Sequence, residues 1–101
     1  MHPSKKTQKY VIELAVCGID VTFDPNAKQD IQDEIMARPH LDQMWIRHDI
    51  KKKQVIVCVA VDSINREVAE KQMAEELFEI VNAVLSQIDG ISIKVVNSTL
   101  P

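Results

Sequence analysis

The chain is poor in the residues that usually mark chemistry. It has two glycines, two cysteines, one tryptophan, one tyrosine and two phenylalanines among 101 residues. With so little glycine it cannot build a phosphate-cradling loop, and "GID" around Gly18 is no such motif. Cys17 and Cys58 both sit inside apolar runs, with no CxxC and no Cys/His spacing that suits zinc. They read as buried thiols of a reducing compartment, not as a disulfide framework. No run of about 18 apolar residues exists, so no spanning helix is expected. The start, "MHPSKKTQKYVIELAVCGID", places lysines before an apolar run, and "LAVC" loosely resembles a lipoprotein cleavage box. Val16 stands where that box needs a small residue, and Glu13 interrupts the run, so no export signal is read and the cytoplasm is expected.

Charge of one sign is also scarce. The net charge is -3, without a concentrated basic face. The two basic runs, Lys5-Lys6 and Lys51 to Lys53, read as a tail and a turn. Neither a nucleic acid nor a membrane surface is expected as a partner. What the chain does have is aliphatic residues: 46% of it is apolar while only 4% is aromatic. A chain of this size buries roughly two thirds of its unfolded surface, enough for one core of Val, Ile, Leu, Ala and Met.

Residues 1–9 are polar and basic and read as a disordered tail, leaving a single domain over 10–98. "YVIELAVC", Tyr10 to Cys17, has an apolar face of Tyr10, Ile12, Leu14 and Val16, and a second face apolar except for Glu13. This is a central strand. Gly18 bends or bulges it, and "IDVTF" is either its continuation or a loop. Asp24-Pro25 marks a helix start, and Ala27, Ile31 and Ile35 recur at helical spacing up to Arg38-Pro39. "MWIRHDI" puts Met44, Ile46, His48 and Ile50 on one side and Trp45, Arg47 and Asp49 on the other. After the "KKKQ" turn, Gln54 to Val61 is apolar on both sides. Asn65 is a plausible cap for a long helix, with Asp62 and Ser63 as rivals. Its buried stripe is Ala69, Met73, Leu77, Ile80, Val81, Val84, Leu85 and Ile88, with Glu76 placed on the wet side and Asp89-Gly90 as the stop. "ISIKVV" is the last strand, with Ile91, Ile93 and Val95 inward.

Strand, helix, strand, strand, helix, strand is the order of the ferredoxin-like α+β plait. It predicts an antiparallel sheet of order 4-1-3-2 with both helices on one face. The first and third strands would then be central, and these are the two that are apolar on both sides. The open face would carry Val11, Glu13, Ala15, Cys17, Ile56, Cys58 and Ala60, flanked by Trp45, Arg47, Asp49, Ser92 and Lys94. Such a strip, if exposed, is on the order of a few hundred Å2, the size at which a patch marks a contact.

Two functional readings follow. One is a non-enzymatic interaction or regulatory module, self-associating or meeting another protein through the open face, with Glu13, Ala15, Cys17, Trp45, Arg47, Ile56, Cys58 and Lys94 as contact residues. The other is a small enzyme or ligand-binding domain with a polar site of Glu13, Arg47, Asp49 and Lys94 on that face. No catalytic residue, cofactor or metal is assigned. Cys17 and Cys58 share a face, so a redox pair depends on their register. His40 and His48 lack a spaced third metal ligand. RNA-recognition plaits need aromatics on the third strand, metal-carrying plaits a Cys pair in the first loop, and acyl-phosphate hydrolases an Arg in a glycine-rich first loop. All three features are missing here, while amino-acid-sensing regulatory plaits have signatures too loose to test.

Overall fold

A computed structural model of the chain describes residues 6–100. Most of the expected tail therefore lies outside the described residues. The elements are β1 (Gln8–Cys17), α1 (Ala27–Met36), β2 (Asp42–Asp49), β3 (Gln54–Ser63), α2 (Arg66–Val84) and β4 (Ser92–Thr99). The four strands form one antiparallel sheet of order β2-β3-β1-β4, the expected order read from the other edge.

The alternation of β1 and β3 decides the architecture. Tyr10 pairs with Val61, Ile12 with Val59, Leu14 with Val57 and Val16 with Val55, so all eight side chains share one face. All eight are buried in a single cluster with Ala27, Ile31 and Ile35 of α1 and Ala69, Met73, Leu77, Ile80 and Val81 of α2. Both helices therefore cover the same face. Each fully buried aliphatic side chain stabilises by about 1.5–3 kcal/mol relative to exposure, and this layer is where that gain concentrates.

Several local expectations change. Met44 and Ile50 were expected inward, yet both are exposed. Gln43 pairs with Val59 and Trp45 with Cys58, which leaves Met44 as the extra residue of a β-bulge. Ile50 belongs to the turn, where the carbonyl of Ile50 accepts from the N–H of Lys53. β4 runs on to Thr99 and carries a second bulge at Val96, between the pairs Leu14–Val95 and Glu13–Asn97. A bulge on each edge strand shortens the regular edge left for pairing, which on β4 is Ser92 to Val95.

The loop ends also differ. Asp24 does not cap α1, whose N-cap is Asn26 without a side-chain bond. The Asp24 carboxylate instead accepts from the Ser86 N–H (2.7 Å) and hydroxyl (2.8 Å), tying the β1–α1 loop to the segment after α2. Ile19 to Phe23 is loop, folded on the Asp20 carbonyl and carboxylate. α2 is capped by Asn65, whose Oδ1 accepts from the Val68 N–H at 2.8 Å. The helix stops at Val84, so Ile88 is exposed and Gly90 lies in the approach to β4. Gly18 has φ +91, and a Cβ there would stand 2.3 Å from the Gly90 carbonyl oxygen. Only glycine permits that approach.

Candidate functional site

The other face of the sheet collects the expected contact residues. Val11 pairs with Ala60, Glu13 with Cys58, Ala15 with Ile56 and Cys17 with Gln54. On the outer strands, Trp45 lies opposite Cys58, Arg47 opposite Ile56 and Lys94 opposite Ala15. All eight contact residues thus share one surface.

The strip at its centre is not bare. Ala15 is 1% exposed, Ala60 2%, Cys58 5% and Ile56 8%. No helix of the described residues lies on this side, so the low exposure arises within the sheet itself. Ala15, Cys58 and Ala60 are small, and the longer side chains on the same face, Glu13, Trp45, Arg47 and Lys94, have the reach to shade such neighbours. Trp45 remains 38% exposed, and the Arg47 guanidinium sits 5.4 Å from the centre of its ring. At that distance the cation is attracted to the ring face, worth about 0.5–1 kcal/mol at an exposed site.

The chemistry available here is limited. Burial first, and the Glu13 carboxylate second, push the Cys58 thiol above its ordinary pKa, so it resists becoming a nucleophile. Cys17 and Cys58 are free thiols. Cys17 pairs with Gln54 and Cys58 with Glu13, four positions apart. That separation is roughly 13 Å along the strands, far beyond disulfide reach. Cys17 instead accepts a weak bond from Gln54 Nε2 at 3.5 Å. Glu13 has no ion-pair partner among the described residues, although Arg47 and Lys94 share its face. Among the described residues no three His, Cys, Asp or Glu side chains are grouped to hold a metal ion. No helix of the described residues is long and apolar enough to cross a membrane.

A second polar cluster escaped the sequence reading. Glu76 was placed on the wet side of α2, yet it is 8% exposed. Its Oε2 accepts from Arg38 Nη1 at 3.1 Å and meets His40 Nε2 at 2.6 Å. Arg38 Nη2 also lies 3.5 Å from Glu34. These contacts clamp the α1–β2 connection onto α2. The signal was present in the spacing: Glu76 follows Met73 by three positions and precedes Ile80 by four, which is the buried stripe. His40 thus has a structural partner. His48 lies on the helix side, opposite Val55, with a buried Nε2 that has no partner among the described residues.

No protein-family model, no curated protein and no solved structure is significantly similar to the chain. The functional reading therefore rests on geometry alone.

Proposed function

We propose that this is a ferredoxin-like plait acting as a non-enzymatic interaction module, self-associating through the open face of its sheet. The element order, the sheet order and the shared helix face support the fold name. The free thiols support a reducing compartment, the cytoplasm. The observation that carries the contact is the part-exposed Trp45 with Arg47 over its ring, standing on a face whose central strands carry Ala15, Ile56, Cys58 and Ala60 around the single charge of Glu13. Trp and Arg are the side chains that most often anchor contacts.

The charges suit a second copy. Lys9, Arg47 and Lys94 share the face with Glu13, Asp42, Asp49 and Asp62. A two-fold contact of such a mixed surface can set each sign against its opposite. Four strands about 4.8 Å apart and about 8 residues long offer roughly 500 Å2 of projected plane per copy. That is the low end for a specific interface, and it predicts a weak, reversible dimer.

Sedimentation velocity across a concentration series tests this. The wild type is expected to shift from monomer to dimer between about 10 µM and 1 mM, the range of weak encounters. Ala15→Arg and Trp45→Ala are each expected to abolish the shift while the circular dichroism spectrum is retained. A wild type that stays strictly monomeric at 1 mM, or variants that dimerise equally well, would overturn the proposal.

A further inference from the structure

We infer that the groove between α2 and the free edge of β4 is a docking site for an extended basic segment of another protein. The inference goes beyond the open-face contact and uses a different surface. The groove encloses about 650 Å3 and is lined by Ala74, Glu75, Phe78, Glu79, Ser92 and Ile93.

Three observations carry it. First, among the described residues β4 has a strand neighbour only on its β1 side, so its outer row of backbone N–H and C=O groups is free to pair with a further strand. Ser92 to Val95 is the regular part of this edge, because the bulge begins at Val96. A short guest strand can pair over these four residues, with the end of a five-residue motif running past them. Second, Phe78 is 50% exposed although it is one of only four aromatic side chains. It lines the groove together with Ile93, offering an apolar guest side chain two apolar neighbours. Third, the rim is acidic. Neither Glu75 nor Glu79 has an ion-pair partner among the described residues, and Lys71, one turn before Glu75, lies beyond pairing distance.

The rim also selects the occupant. A second copy placed symmetrically across this edge would bring four carboxylates together, which repels. A guest with an apolar residue flanked two positions away on each side by lysine or arginine puts all three side chains on the helix side. The apolar one then meets Phe78 and Ile93, and the basic ones reach Glu75 and Glu79. Main-chain pairing supplies affinity, and the two carboxylates supply selectivity.

The test uses the full chain and a capped, fluorescently labelled peptide containing Lys-Thr-Leu-Thr-Lys, with Glu-Thr-Leu-Thr-Glu as its control. Anisotropy titrations are expected to show saturable binding of the lysine peptide, weakened by salt, and none of the control. Phe78→Ala and the pair Glu75→Gln with Glu79→Gln are each expected to lower affinity at least tenfold. These positions are solvent-facing, so the fold should persist. Amide shifts in the NMR spectrum are expected at residues 92–95 and 74–79. Ala15→Arg should bind the peptide like the wild type, which separates this site from the open face. The inference fails if the lysine peptide does not bind at millimolar concentration, if the acidic control or the variants bind equally well, or if the shifts map elsewhere. It fails equally if Phe78→Ala dissolves a dimer of the wild type, since the occupant would then be a second copy.

Discussion

At Ile12 and Ile56 the two faces of the sheet reach nearly the same burial by different means. Ile12 and Ile56 lie on adjacent central strands and face opposite ways; one is 0% exposed and the other 8%. Ile12 is held beneath two helices whose own side chains interlock with it. Ile56 has no helix above it among the described residues, only the side chains of its own sheet, and Arg47 is its partner on the neighbouring strand. Low exposure therefore does not imply a second layer of structure. Side chains of a single sheet can shut out water without one. What they cannot supply is close packing, because solvated side chains move aside at little cost.

The largest expected effect separates the two means directly. Ile12→Ala should cost roughly 3–4 kcal/mol in urea unfolding, because the helices cannot collapse into the void. Ile56→Ala should cost about 1–2 kcal/mol, since the arms above it can settle into the space. Equal losses would mean that the open face is packed like the core. A smaller effect probes the cover itself. In a Cys17→Ser background, Trp45→Ala should raise the alkylation rate of Cys58 by iodoacetamide roughly three- to tenfold, because Trp45 lies directly opposite that thiol. An unchanged rate would show that other side chains do the covering.

The smallest effect concerns pH. Burial raises the Cys58 pKa above its ordinary value of 9.0, so the folded protein favours the neutral thiol. Its contribution to stability is complete below that value and is lost as pH rises through the higher folded value. The urea midpoint of the wild type should thus fall more steeply between about pH 8 and pH 10 than that of Cys58→Ala. Parallel slopes would show that the thiol is wetter than its position implies.

These differences also explain how much was legible beforehand. The strand order and the shared face of Tyr10, Ile12, Leu14 and Val16 follow from period-two alternation, which a buried face enforces over its whole length. The membership of the open face was legible for the same reason, and its eight contact residues do come together. Its closure was not, because whether an arm such as Arg47 folds over a neighbour depends on rotamers that no spacing encodes. The bulges at Met44 and Val96 were hidden too, since one inserted residue leaves no mark on a short edge strand. Asp24 reads as a cap by local chemistry, but Ser86, 62 positions later, takes its carboxylate instead. Glu76 is a different kind of miss. Its spacing puts it on the buried stripe, and Arg38 and His40 supply the partners that let a carboxylate sit there.

The offset of the two cysteines has one more consequence. A thiol pair set four rungs apart on a rigid ladder cannot staple this molecule to itself while it stays folded. Any covalent sulfur bridge made by the native protein must reach outward, to another copy or to a small thiol. Half-buried Cys17 is the more open of the two to such a partner. Oxidative stress would therefore be recorded as a change in company, not in shape.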